Sequence, residues 1–76
     1  MASIQVRHPS ARKIVMELAQ KRGLEVTEAN GRVHSASGET ARKVREVSRQ
    51  VFEAGIVEHE SGKMFSEEAA KKKLNL

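Results

Sequence analysis

The chain contains no cysteine, tryptophan or tyrosine, only one proline, and two phenylalanines among its 76 residues. The absence of cysteine excludes disulfides, zinc knuckles and thiol nucleophiles. Recognition of single-stranded nucleic acid by stacking normally uses several exposed aromatic rings, so two phenylalanines disfavour that mode. The length predicts a single domain, residues 1–76, which is too small to enclose a deep substrate cavity around a packed interior.

The chain also lacks long apolar runs and any arrangement typical of an active site. No segment approaches the length of a membrane-spanning helix, and the N-terminal residues lack the apolar core of a signal peptide. No two of the three histidines have the spacing of metal ligands on a helix, and no nucleophile stands at a meaningful spacing from a base. We therefore expect a cytoplasmic protein with no membrane partner, no metal, no cofactor and no enzymatic activity.

Basic residues are in modest excess and are unevenly placed. The formal net charge is +4. Residues 1–22 hold five basic side chains against one acidic side chain, whereas residues 56–76 hold four of each. An excess of this kind permits binding to a polyanion without requiring it.

The first third of the chain predicts a short strand followed by an amphipathic helix. Apolar and polar side chains alternate over residues 3–7, as in a half-buried strand. Pro9 suits the first turn of a helix, and residues 10–22 repeat apolar side chains on one face at helical spacing. Gly23 can adopt the left-handed conformation that ends a helix, with Leu24 placed to fold back onto it.

Asn30-Gly31 is the strongest local signal in the chain. This dipeptide between two strand-like runs favours a β-hairpin with a two-residue type I′ turn. Pairing outward from the turn sets Glu28 opposite Val33, Thr27 opposite His34 and Val26 opposite Ser35. We expect the core-facing side chains to be Leu24, Val26 and Val33. We expect the water-facing side chains to be Thr27, Arg32 and His34.

Residues 39–54 predict a second amphipathic helix. Its buried stripe comprises Val44, Val47, Val51 and Ala54. Ser37-Gly38 precedes the helix and has two interpretations. The pair is either an ordinary N-cap or a turn whose backbone N–H groups bind a phosphate, with Arg42 and Lys43 one turn later.

Three arginines of this second helix project from the side opposite the valines. At about 100° per residue, Arg42, Arg45 and Arg49 fall together on one face. Such a ridge of guanidinium groups could contact the phosphates of a nucleic acid, or it could be a solvated helix face. Glu46 and Glu53 lie at ion-pairing spacings from the arginines and would weaken their field.

The end of the chain predicts a smaller hairpin over residues 56–65 and a short helix over residues 66–74. Ser66 is a good N-cap, followed by acidic residues in the first turn and by lysines in the last turn. The predicted class is therefore α+β, in the order β-α-β-β-α, then the second hairpin and the C-terminal helix. Two amphipathic helices covering one face of a small antiparallel sheet would bury all the apolar stripes at once.

The second helix and the smaller hairpin together follow a familiar pattern. The helix ends in Gly55, an apolar pair follows at 56–57, Gly62-Lys63 forms a turn, and a strand returns at 64–65. Residues 41–73 thus resemble the recognition helix and wing of winged-helix nucleic-acid-binding domains. In that family another helix precedes the recognition helix, where this chain has the Asn30-Gly31 hairpin.

The resemblance implies a groove-facing helix over residues 39–54 and a wing over residues 56–65. It also implies which side chains would face the nucleic acid: Arg42, Arg45, Arg49 and Lys63. With the basic residues of the first helix, the full set of candidate contacts is Arg12, Lys13, Arg42, Lys43, Arg45, Arg49 and Lys63. We expect a non-enzymatic domain that binds nucleic acid, duplex DNA rather than a single strand, through phosphate contacts.

Two other functions fit the same residues. A small protein-interaction module, such as an inhibitor or adaptor encoded by a phage or another mobile element, would have the same mixed charge and short length. Its contact surface would be the outward face of the first hairpin or the C-terminal helix with Lys71–Lys73. A component of a ribonucleoprotein is the third candidate. A homodimer is also compatible with the sequence, because a domain of this size gains stability from dimerisation.

Overall fold

A computed structural model describes residues 2–76, and for Ala2 it describes the backbone alone. Its elements, in chain order, are β1 (Ala2–Gln5), α1 (Pro9–Lys21), β2 (Val26–Ala29), β3 (Arg32–Ser35), α2 (Gly38–Gly55), β4 (Ile56–His59), β5 (Gly62–Phe65) and α3 (Glu67–Leu74). The predicted α+β class and the predicted order of elements, including the second hairpin, are confirmed.

Helix α1 begins and ends where local chemistry satisfies its free backbone groups. At its start the Ala11 N–H donates to His8 Nδ1 over 3.4 Å. At its end Gly23 has a φ of 78°, and the Leu24 N–H donates back to the Ala19 carbonyl over 3.0 Å. The reversal at Gly23 and Leu24 is therefore confirmed, whereas the His8 cap was not predicted. The buried face comprises Ala11, Ile14, Val15, Leu18 and Ala19.

The first hairpin has the predicted turn and the predicted register. Asn30 and Gly31 are both left-handed, with φ of 53° and 74°, as a type I′ turn requires. The pairs are Val26 with Ser35, Thr27 with His34, Glu28 with Val33, and Ala29 with Arg32. Strand β1 adds to the other side of β3 in antiparallel fashion, so β3 is the central strand of a three-stranded sheet.

Helices α1 and α2 pack on one face of this sheet, α1 against β2 and α2 against β1. Val26 and Val33 are buried beneath them as predicted, but Leu24 is only half-buried. On the opposite face Thr27 is exposed, while Arg32 and His34 are half-buried in the sheet surface. The central strand also buries Ser35, whose hydroxyl has no hydrogen-bond partner within residues 2–76.

Strands β4 and β5 form a separate two-stranded sheet that leaves directly from the end of α2. Phe65 anchors it, with its ring centroid 5.6 Å from that of Phe52 and 5.2 Å from that of His8. Helix α3 follows, capped by Ser66, whose Oγ accepts from the Ala69 N–H over 3.2 Å. The hairpin is thus tied to the core at its base.

Helix α3 packs against both α1 and α2. Its buried contact is Ala70, which is fully inaccessible to solvent. Lys13 and Glu67 form an ion pair 3.7 Å long near its start, and Lys21 Nζ donates to the Asn75 carbonyl over 3.0 Å near its end. These two contacts show that α3 runs alongside α1 in the same direction.

Candidate nucleic-acid interface

Helix α2 begins with an N-cap at the Ser37-Gly38 turn. The Ser37 Oγ accepts from the Thr40 N–H over 3.2 Å and donates to the Thr40 hydroxyl over 3.1 Å. Glu39, in the first turn, adds a negative charge where the helix dipole favours one. The capping interpretation of Ser37-Gly38 therefore accounts for the contacts seen at this end of the helix.

The buried valine stripe of α2 determines which side of the helix faces solvent. The buried residues of the helix are Ala41, Val44, Val47, Val51, Ala54 and Gly55. Arg42, Arg45 and Arg49 are all exposed. Burial of one stripe against the sheet and the other helices thus holds the opposite stripe in solvent, as the helical period predicts.

Arg49 is held by two carboxylates of its own helix. Its Nε donates to Glu46 Oε2 over 3.0 Å, its Nη1 donates to Glu53 Oε1 over 2.5 Å, and its Nη2 contacts Glu46 Oε1. The hydrogen bond from Arg49 lowers the pKa of the Glu46 carboxyl, and the same contacts raise the pKa of Arg49. The clamp of Glu46 and Glu53 therefore neutralises the C-terminal half of the arginine ridge.

The N-terminal half of the ridge is not neutralised in this way. Arg42, Lys43 and Arg45 are exposed, and none of them forms an ion pair or a side-chain hydrogen bond with another described residue. Glu39 has the sequence spacing to pair with Arg42 and Lys43, but no such pair occurs in this part of the chain. Three cations within one turn are therefore available to an external anion.

Arg12, a candidate contact from the sequence, is instead engaged inside the fold. Its side chain is only 17% exposed, and its Nε donates to Glu28 Oε2 over 2.7 Å. Its Nη1 donates to the Val6 carbonyl over 2.8 Å. Arg12 thus ties α1 to the first hairpin and to the segment after β1, which leaves little of its guanidinium for a ligand.

The last two candidates lie apart from the α2 cations in the sequence and differ in their surroundings. Lys13 is exposed on α1 and contacts Glu67 at 3.7 Å. Lys63 is exposed on β5, directly opposite Glu58 in the hairpin register. The structure therefore places three of the seven candidates, Arg42, Lys43 and Arg45, together on one turn without a carboxylate partner.

Arg22 is a cation near this turn that sequence reasoning did not include. It is the C-cap residue of α1, and its Nη2 donates to Gln50 Oε1 on α2 over 2.7 Å. It also lines an open cleft together with Lys43. Only the packing of α1 against α2 brings the two residues together, so no spacing in the sequence could have indicated the pair.

No protein-family model, no curated protein and no solved structure matches this chain. Within the part of the chain that the structure describes, no group of three or more His, Asp or Glu side chains could hold a metal ion. None of the described helices combines the length and the apolar composition needed to cross a membrane. The resemblance to winged-helix proteins stays a prediction. A helix and a hairpin do follow one another at the expected positions, but a strand, β3, precedes the helix.

Proposed function

We propose that this protein binds nucleic acid without catalysing a reaction, and that it contacts phosphates through the N-terminal half of α2. The observation that carries the proposal is the exposed turn of Arg42, Lys43 and Arg45, which has no carboxylate partner among residues 2–76. Guanidinium and ammonium groups that are held on a rigid helix and remain unpaired are suited to phosphate oxygens.

The charge pattern of α2 predicts modest affinity. The clamp of Glu46 and Glu53 compensates Arg49, so only part of the ridge contributes. Each phosphate contact that releases a counterion contributes about 0.9 to the slope of log affinity against log salt on duplex DNA. Two or three contacts therefore give binding that weakens clearly, but not steeply, as salt increases.

The direct test replaces Arg42 and Arg45 together with glutamine and measures binding of a labelled random-sequence duplex at several salt concentrations. We expect affinity to fall roughly tenfold or more and the salt slope to decrease by about 1.8, because two phosphate contacts are lost. The matched control is Lys72→Gln with Lys73→Gln, which removes the same charge from α3. An Arg42/Arg45 variant that binds as the control does would show that α2 is not the interface.

The Glu46 and Glu53 clamp makes an opposite prediction. In a Glu46→Gln/Glu53→Gln variant the Arg49 guanidinium is released, so we expect affinity for the duplex to increase several-fold and the slope to rise by about 0.9. The control, Glu17→Gln with Glu68→Gln, removes two exposed carboxylates from α1 and α3. Equal gains in both variants would mean that net charge alone, and not the release of Arg49, changes the affinity.

A protein-interaction module is the second candidate, and one observation favours it. The second hairpin exposes two large hydrophobic side chains, Ile56 at 37% and Met64 at 50%. They project from opposite faces of the hairpin, because Met64 pairs with Val57 and Ile56 pairs with Phe65. Within the described residues both strands of this sheet are edge strands, and an unpaired edge beside an exposed apolar side chain favours pairing with another chain.

This candidate predicts that a pull-down with the chain retains one stoichiometric protein after nuclease treatment. The Met64→Gln substitution should abolish that binding, and replacing Arg42 and Arg45 should not change it.

A further inference from the structure

Strand β2 is an outer strand of the three-stranded sheet, so its backbone can pair with one more strand. The strand order is β1-β3-β2, and only one side of β2 faces β3. In a hairpin with a two-residue turn, the residues that flank the turn form a hydrogen-bonded pair, and such pairs then alternate along the strands. The flanking pair here is Ala29 with Arg32, so Thr27 is the next residue of β2 whose backbone N–H and C=O face β3.

The backbone groups of Val26 and Glu28 consequently point away from β3. Neither residue has a backbone hydrogen bond to a helix or loop among residues 2–76. They stand on either side of Thr27, whose side chain is exposed on the face of the sheet that the helices leave uncovered. A second copy of β2 in antiparallel orientation, centred on Thr27, would place Val26 of each copy opposite Glu28 of the other. Each of these pairs can exchange two backbone hydrogen bonds.

The side chains of β2 are compatible with this pairing. The strand, Val-Thr-Glu-Ala, contains neither the proline nor the lysine by which many natural edge strands prevent association. Its one charged side chain, Glu28, accepts a hydrogen bond from Arg12 Nε over 2.7 Å. In the two-fold register Glu28 faces Val26 of the other copy, so no like charges stand directly opposite each other.

A mostly apolar cleft borders the same edge of the sheet. It is open to solvent, has a volume of about 400 Å³, and its lining includes Gln20, Leu24 and Val26 at the start of β2. Leu24 is only half-buried in the single chain. In an antiparallel pair the end of one β2 lies beside the start of the other, so the hairpin of each copy comes to lie beside the cleft of its partner. Apolar surface can therefore be buried next to the new backbone hydrogen bonds.

We propose that two copies of this chain associate through β2 about a two-fold axis at Thr27, which joins their three-stranded sheets into one continuous antiparallel sheet. The surface is self-complementary, as a two-fold interface requires, because the same two outward-facing residues supply both partners of each hydrogen-bonded pair. The inference is independent of the proposed function. Because β2 is short, the association is weak and becomes substantial only at high protein concentration.

The first test measures association and its site on the whole chain, from micromolar to millimolar concentration. Sedimentation equilibrium with interference optics, chosen because the chain has no tryptophan or tyrosine, should show a monomer–dimer equilibrium. Amide hydrogen exchange of Val26 and Glu28 should slow as the concentration rises. Ser3 and Gln5 are the internal control, since the register of β1 against β3 directs their backbone groups to the other edge of the sheet. Their exchange should not depend on concentration.

The second test uses exchanged charges at the axis. Thr27→Lys and Thr27→Glu each place two like charges opposite one another, so each variant alone should associate several-fold more weakly than wild type. An equimolar mixture of the two variants should recover association, because opposite charges then meet at the axis. Gln5→Lys puts the same charge on an exposed residue of β1 and should associate as wild type does. Circular dichroism melting verifies that each variant is folded.

The outcomes support or overturn the proposal separately from nucleic-acid binding. A chain that stays monomeric at millimolar concentration overturns it. A dimer that Gln5→Lys weakens and Thr27→Lys does not would be paired through β1, which also overturns it. If the mixture of Thr27 variants associates no better than either variant alone, the two Thr27 residues do not face each other and the two-fold register is wrong. None of these results changes the expected effect of the Arg42/Arg45 variant on duplex binding.

Discussion

Replacing Gly55 with alanine should lower the free energy of unfolding by about 2 kcal/mol and the melting temperature by roughly 8–16 °C. A Cβ placed on Gly55 would lie 2.7 Å from Phe65 Cδ2 and closer still to Cε2 of the same ring. That ring cannot simply turn away, because it packs against Phe52 and His8. The substitution therefore forces the base of the second hairpin away from the helix it follows.

Gly38 offers a matched control for this prediction. It is the first residue of α2, as Gly55 is the last, and an alanine Cβ there would meet no atom within 4 Å. Alanine is the better helix former, so Gly38→Ala should leave the melting temperature unchanged or raise it slightly. The chain has no tryptophan or tyrosine, so melting is followed by far-ultraviolet circular dichroism. Equal melting temperatures for the two alanine variants would contradict the role assigned to Phe65.

A double-mutant cycle identifies the partner. Phe65→Leu shortens the side chain that Gly55 accommodates, so the cost of Gly55→Ala should be smaller in that background. The backbone contact at this place is also close, since the Ser66 N–H donates to the Gly55 carbonyl over 2.6 Å. A cost of Gly55→Ala that is unchanged by Phe65→Leu would assign the strain to this backbone contact instead.

Elements with local causes could be predicted from the sequence. Asn30-Gly31 determined both the turn and the register of the first hairpin, because a two-residue turn leaves one way to pair the flanking strands. The helices followed from their apolar period, and the end of α1 from Gly23. In each case the decisive contacts join residues that are close in the chain, so the sequence of that segment alone is enough to predict the element.

Features that depend on packing could not be predicted in the same way. The sequence indicated a second hairpin but not its isolation from the three-stranded sheet, which follows from the contact of Phe65 with the end of α2.

The spacing of Arg49 from Glu46 and Glu53 suggested ion pairs that the structure contains. Arg42 lies four residues before Glu46, as Arg49 lies four residues before Glu53, yet Arg42 forms no such pair among the described residues. Spacing permits a pair, and competition among neighbours decides which one forms.

The sequence indicated Arg12 as a candidate nucleic-acid contact, whereas in the structure its guanidinium contacts Glu28 and the Val6 carbonyl. These contacts lead to a second stability prediction. We expect Arg12→Ala to lower the free energy of unfolding by about 2 kcal/mol, which corresponds to roughly 8–16 °C in melting temperature. Its removal leaves the carbonyl of Val6, a residue only 2% exposed, without the Arg12 donor, and leaves Glu28 without its ion-pair partner. A domain of this size has roughly 3–5 kcal/mol of net stability, so the loss is a large share of the total.

Lys13→Ala is the control for this substitution, since Lys13 is the next residue on α1 and its side chain is 70% exposed. We expect that control to change stability by at most about 0.5 kcal/mol. The comparison also separates holding the fold together from contacting a ligand. Below its melting temperature, folded Arg12→Ala protein should bind duplex DNA with an unchanged salt slope, because the guanidinium faces Val6 and Glu28 and not the solvent. A variant that melts as wild type does but loses slope would make Arg12 part of the interface, and α1 would then have to approach the phosphates as closely as α2.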